Sequence, residues 1–244
     1  MTAEDERPDA PRAAPDGAGG TRGTAGPGGK GAATKGAGAA RRPYDARRRR
    51  AGAERNRGAV LDAYRVLLFR DGYRATTVRA VAGAAGVSPE TVYKTFGGKP
   101  GLAKALWDVT QAGDDAPVAM ADRDELRAVM EERDPRAKLA GWAAFVRGVH
   151  ERLAGLAAAL AQAGPEPAAV IEATEEERLR GVRGFVEHLA DRGLLGAGVD
   201  PSAAADACWA LTSAQLWTRL TVARGWTAQA YEEWLVAVLA AVLF

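Results

Sequence analysis

Residue types on which catalysis and metal binding often depend are nearly missing: the 244 residues include one cysteine, Cys208, and two histidines, His150 and His188. A lone cysteine closes no internal disulfide and holds no structural zinc, so a reducing cytoplasm is expected. Two histidines are too few for a metallohydrolase site or a histidine-based nucleophile relay; neither an enzyme, a metal nor a cofactor is expected. No apolar run reaches the ~18 to 20 residues of a membrane span, and the N-terminal stretch lacks the apolar segment of a secretory signal. Alternation of the kind that marks β-strands is absent too. Residues 2–43 contain no Val, Ile, Leu, Phe, Trp or Tyr. Gly, Ala and Pro dominate there, and such a stretch buries too little to offset its ordering entropy, so residues 1–46 are expected to form a disordered basic tail.

What is present is an uneven distribution of charge. The net charge is +2, but residues 1–113 hold 20 Lys and Arg against 11 Asp and Glu, while residues 114–244 hold 13 against 20. The front is thus +9 and the back −7. A cationic front suits a polyanion, and the acidic back should avoid the same polyanion. The tail alone does not account for this, because residues 51–113 carry 9 basic and 5 acidic residues. Arg41, Arg42, Arg47, Arg48, Arg49 and Arg50 read either as a solvated charge run or as an arm for nucleic acid.

From there the pattern is helical throughout. Val60, Leu61, Tyr64, Leu67 and Leu68 recur on one face of a helix that Gly72 ends. Thr76 or Thr77 caps a second helix with Val78, Val81 and Ala82 inward. Gly86 allows a tight turn, and Ser88 and Pro89 open a third helix with Val92 and Phe96 inward. Gly97 and Gly98 break it, and a fourth helix follows from Lys99. Later helices are expected near residues 123–132, along the stripe Trp142, Phe145, Val149, Leu153, Leu156 and Leu160, and over residues 167–192. A further helix runs from Asp200 and Pro201 to about Arg224, and a last one carries Tyr231, Trp234, Leu235, Val238, Leu239 and Leu243.

The most informative stretch is TTVRAVAGAAGVSPETVYKTFGGKPGL, residues 76–102. It reads as a helix, a glycine turn and a second helix whose outward face presents Pro89, Glu90, Tyr93 and Lys94, the arrangement of a helix-turn-helix that enters a major groove. The residues leave Glu90 open, as a solvated first-turn acid that suits the helix dipole or as a base-facing acceptor. Tyr93 is likewise a core aromatic or a DNA contact. With Thr77 and Val78, the Ala82-to-Val87 turn, Ser88, Pro89, Val92, Tyr93, Phe96, Lys99 and Leu102, this stretch resembles the TetR family of bacterial transcriptional regulators. Residues 200–234 look like the closing helices of many members. Gly97, Gly98 and Pro100 depart from the family's usual pattern.

The resemblance implies an all-α chain of about nine helices: a three-helix DNA-binding domain over residues 47–112 joined to a larger bundle over 113–244 for ligand binding and dimerisation. It implies that Thr77, Tyr93 and Lys99 hold phosphates, while Pro89, Glu90, Thr91 and Lys94 face bases, with Ser88 and Thr95 beside them. For a small-molecule ligand the candidates are Trp142 and Phe145 as walls and Thr174, Arg178, Thr212 and Gln215 as polar groups; the aromatic stripe also reads as plain core. Cys208 reads as a buried small residue, and the two histidines as surface or core. A dimer seam is expected through Leu216, Trp217, Leu220, Trp234 and Leu235, because the last helices hold more aromatic surface than one chain readily buries; a monomer with a full core is the alternative. The reading is a cytoplasmic homodimer that represses from a palindromic double-stranded operator and is released by a ligand. Its competitors are a nucleic-acid-binding accessory protein without ligand control and an α-helical enzyme with an incidental helix-turn-helix.

Overall fold

A computed structural model describes residues 43–161 and 163–244, and the regular structure among them is entirely helical. The expected disordered tail falls mainly on residues 1–42, outside the described residues. From Pro43 the chain is helical, so α1 (Pro43–Ala75) starts ahead of the expected boundary at residue 47. At Gly72 a φ of 79° and ψ of 165° interrupt α1 where the sequence predicts its end.

Side chains delimit the next helices. The Thr77 hydroxyl accepts from the Ala80 N–H at 3.1 Å to start α2 (Val78–Ala85), and the Ser88 hydroxyl accepts from the Thr91 N–H at 3.2 Å to start α3 (Pro89–Phe96). Each cap contributes about 1 kcal/mol. Of the two candidate threonines Thr77 is therefore the cap; Thr76 is buried and donates to the Gly72 carbonyl at 2.9 Å. Helix α4 (Lys99–Ala112) crosses α3 so closely that a methyl group at Gly101 would overlap the Phe96 carbonyl oxygen.

A turn at Met120–Asp122 leads to α5 (Asp124–Glu131), then to the long helices α6 (Pro135–Ala161) and α7 (Pro165–Asp191). Lys138 is buried, and its ammonium donates to the Val129 and Met130 carbonyls at 2.7 Å each. A cation at the end of α5 answers the negative pole of that helix. Helix α8 (Pro201–Leu211) is capped by Asp200, which accepts from the Ala203 N–H at 2.9 Å. The single helix expected to Arg224 is divided. Ser213 takes an extended conformation and caps α9 (Ala214–Thr218), which widens into a π turn over Arg219–Ala223 before α10 (Ala228–Leu243).

Two hydrophobic clusters organise the packing. One joins α1 to α4 with Leu153, Leu156 and Leu160 of α6 and Val170 of α7. The other gathers Trp142 and Phe145 of α6, Phe185 and Leu189 of α7, Cys208, Trp217, and Tyr231, Leu235 and Leu239 of α10. Val149 packs against both. No helix among the described residues is long and apolar enough to cross a membrane.

Candidate nucleic-acid interface and interior cavity

Helix α3 is anchored by its inner face. Val92 is fully buried, and Phe96 is half-buried with the Arg57 guanidinium 5.3 Å from its ring centroid. The opposite face is therefore fixed in direction and bare. Tyr93 is 56% exposed, and Glu90, Lys94 and Thr95 are exposed beside it. An ordinary core role for Tyr93 does not fit that exposure. A Cβ at Gly98 would stand 3.5 Å from this ring, an ordinary contact, so it is the φ of 119° there that calls for glycine. The Glu90 carboxyl is held below its usual range by its own backbone N–H and by the Ser88 hydroxyl, which keeps it charged at the start of the helix. Ser88 and Thr91 pair their hydroxyls at 3.1 Å, and Pro89 is half-buried at the first turn. These two are occupied in shaping the helix start. Thr77 is exposed at the start of α2, with its hydroxyl already accepting from Ala80.

Lys99, an expected phosphate contact, is half-buried and packs within the chain. Its ammonium lies 4.1 Å from the Tyr73 ring centroid and donates to the Arg74 carbonyl at 3.4 Å. Burial lowers its pKa, opposed by the charge of Glu166. The lysine thereby ties the start of α4 to the end of α1.

Farther along, α4, α5, α6 and α7 enclose a cavity of about 430 Å³. Of the expected pocket residues, Trp142, Phe145, Arg178 and Thr212 line it. Thr174 and Gln215 do not: the Thr174 hydroxyl turns back to the Ile171 carbonyl at 2.6 Å, and Gln215 is exposed on α9. Trp142 stacks on Phe185 with centroids 4.1 Å apart. Sequence reasoning missed Phe185, Val146, Val182, His150 and the methionines Met120 and Met130, all of which contribute to the wall. Val146 continues the Trp142 stripe of α6, and Arg178, Val182 and Phe185 stand at i, i+4 and i+7 on α7; these spacings were readable. Met120, in a short turn, carries no such signal.

Among the polar groups of the wall, Arg178, Thr212 and His150 are tied together by hydrogen bonds. Arg178 donates to Glu175 through Nε at 3.1 Å and Nη2 at 2.5 Å, and through Nη1 to the Trp209 carbonyl at 2.7 Å and the Thr212 hydroxyl at 3.0 Å. Thr212 in turn donates to the Cys208 carbonyl at 2.8 Å. His150 is buried with Nε2 3.1 Å from the Thr212 carbonyl; since a carbonyl only accepts, Nε2 carries the hydrogen. Burial pushes the His150 pKa down to about 4, against the pull of that carbonyl, so the ring is neutral. The Cys208 thiol is buried and raised to about 11, which leaves it inert as a thiolate. His188 is half-buried beside Lys138. Among the described residues no group of three or more His, Cys, Asp or Glu is arranged to hold a metal ion.

The expected seam residues fall into two sets. Trp217 and Leu235 are 6% and 0% exposed within a single chain, with Trp217 stacked on His150 and edge-on to Tyr231 at 4.8 Å. They are core residues, and their place in the expected seam is corrected accordingly. Leu216, Leu220 and Trp234 are half-exposed, and Val222 and Trp226 nearby are exposed.

The family model for bacterial regulatory proteins of the tetR family matches residues 60–106, from the buried face of α1 into α4. Over 47 residues the chain is 47% identical to the HTH-type transcriptional regulator YvkB of Bacillus subtilis (strain 168). Residues 60–106 thus resemble the DNA-binding segment of TetR-family regulators. The match to YvkB takes in 19% of this chain and about a quarter of the relative, 25%. Beyond that segment the likeness is one of fold. NalD of Pseudomonas aeruginosa, the secondary repressor of the MexAB-OprM multidrug efflux pump, is 20% identical with a TM-score of 0.59, covering 79% of this chain and 97% of NalD. FadR of Bacillus subtilis in complex with stearoyl-CoA is 18% identical with a TM-score of 0.55, covering 76% of this chain and 98% of FadR.

Proposed function

We propose that this protein is a DNA-binding transcriptional regulator of the TetR family rather than an enzyme, a cytoplasmic homodimer that represses from a palindromic operator and is released by a small molecule. The observation that carries the reading is the position of α4. Its first turn presses on the end of α3, whose outer face is bare, while Gln111 near its other end lines the cavity. A helix of 14 residues spans about 20 Å, so a molecule in the cavity acts at a distance through one rigid rod. Fold relatives named as a repressor and as a stearoyl-CoA complex support the same use of the scaffold. A two-fold dimer with one recognition helix per chain selects a palindrome. Its seam is proposed over Leu216, Leu220, Val222, Trp226 and Trp234, where apolar surface faces outward.

Selection of random duplexes by the purified protein should yield a palindromic site, and small molecules that fill the cavity should release it. Recovery of DNA without sequence preference would instead favour an accessory nucleic-acid-binding role.

A further inference from the structure

The cavity's ionisable residues are His150, Glu177, Arg178 and Arg180. Arg178 is ion-paired with Glu175, and its Nη1 is committed to the Trp209 carbonyl and the Thr212 hydroxyl. Glu177 is paired with Lys104 at 3.1 Å. His150 has given its only hydrogen to Thr212, so the ring can offer a ligand an acceptor and nothing more. Arg180 is exposed at the rim, where water screens it. The wall between these groups is built from Trp142, Phe145, Val146, Val182 and Phe185. A charged ligand entering this space loses its hydration and meets no unpaired counter-charge inside. The approach is also unfavourable to anions, because residues 114–244 carry a net −7.

The mouth has its own signature. Gly181 and Gly184 lie on the cavity side of α7, both are exposed, and a Cβ at either would meet no atom within 4 Å. Glycine inside a helix costs about 1 kcal/mol relative to alanine, so two of them one turn apart weaken α7 without any packing need in the chain. What they leave is an opening beside Glu177, Arg180 and Gln111.

We propose that the cavity takes an uncharged, largely apolar ligand, admitted past Gly181 and Gly184, and that the Glu175–Arg178 pair excludes anions by occupying the guanidinium. This rests on the reading of the cavity as the ligand site. The probes are N-phenyl-1-naphthylamine and 8-anilinonaphthalene-1-sulfonate, which share one aromatic skeleton and differ by the sulfonate; both brighten in apolar surroundings. Titrated into the full-length protein, the neutral probe should bind at least about tenfold more tightly than the sulfonate. Glu175→Gln, which keeps a hydrogen-bond acceptor beside Arg178 but removes the charge, should tighten sulfonate binding about tenfold and leave the neutral probe nearly unchanged. Gly181→Trp should abolish binding of the neutral probe while Gly181→Ala retains it, and both should remain folded because the site is open to solvent. Sulfonate binding as tight as the neutral probe's, and also lost in Gly181→Trp, overturns the charge rule but leaves the cavity as a ligand site. A neutral probe that fails to bind, or that binds Gly181→Trp unchanged, overturns the proposal together with the reading beneath it.

Discussion

The phenol of Tyr73 donates a hydrogen bond to Glu166 Oε2 at 3.0 Å, joining the end of α1 to the first turn of α7. The same ring carries the Lys99 ammonium on its face, and Arg74 next to it donates through Nε to the Ala163 carbonyl at 3.3 Å. Three successive elements, the end of α1, the start of α4 and the α6–α7 turn, thus meet around one tyrosine. Tyr73→Phe removes only the hydrogen bond and should cost about 1 kcal/mol, since Glu166 is exposed. Tyr73→Ala removes the buried ring as well and should cost about 3 to 5 kcal/mol. Urea unfolding of both variants decides it; equal losses would mean that the ring's packing contributes nothing beyond its hydroxyl.

On α3, Tyr93→Ala should weaken binding to every duplex, whereas Lys94→Ala should relax preference at one base position per half-site, at a cost of about 1 to 3 kcal/mol. Neither should shift the melting temperature appreciably, because both side chains are exposed. Lys99→Ala should behave otherwise and lower thermal stability, since its ammonium is spent on Tyr73 and Arg74. Binding curves at several salt concentrations, run beside thermal melts, separate the two behaviours. A Lys99→Ala protein that melts normally and loses only DNA affinity would restore the phosphate role.

The tryptophans of the last helices make opposite predictions. Trp217→Glu places a charge between His150 and Tyr231 and should cost more than about 4 kcal/mol, losing the fold rather than the dimer. Val222→Glu, at a position 74% exposed, should preserve helicity and produce monomers that bind the operator poorly. Sedimentation with circular dichroism on each variant tests this; a Val222→Glu protein that stays dimeric moves the seam off the π turn.

His150 links stability to pH. Its folded pKa of about 4 lies below the ordinary 6.5 because burial disfavours the imidazolium. Between these values the unfolded chain binds a proton that the folded chain refuses, so stability is full above pH 6.5 and is lost as the pH falls toward 4. The loss amounts to up to about 3 kcal/mol. His150→Gln should flatten that slope in denaturant titrations across the window, and an unchanged slope would place the titrating group elsewhere.

Most helix boundaries set by a cap were legible: Thr77, Ser88, Asp200 and the glycines at 86 and 97 each stop or start a helix by a local bond or a positive φ. Local chemistry is written in adjacent residues, so it survives in the sequence. The outward face of α3 was legible for a related reason, since Val92 and Phe96 are apolar and the other side is polar. Helix α10 offers no such contrast. Its sequence AQAYEEWLVAVLAAVL is apolar on most sides, so periodicity cannot tell Leu235, which is buried, from Trp234, which is half-exposed. Lys99 escaped because its partners, Tyr73 and the Arg74 carbonyl, lie more than twenty residues away in sequence. The break at Ser213 escaped because Thr212 and Ser213 carry no glycine or proline to announce it.

The sharing of α6 and α7 between the two hydrophobic clusters bears on how such proteins can be recombined. Leu153, Leu156, Leu160 and Val170 complete the interior in which α1 and α4 are set. A chimera cut after Gly113 would leave the apolar sides of Leu68, Leu102 and Leu106 facing either water or a foreign helix pair shaped for other side chains. Grafting this recognition helix onto another sensor, or another sensor onto this recognition helix, therefore requires carrying along the far end of α6 and the start of α7. The portable piece is defined in space and is discontinuous along the chain.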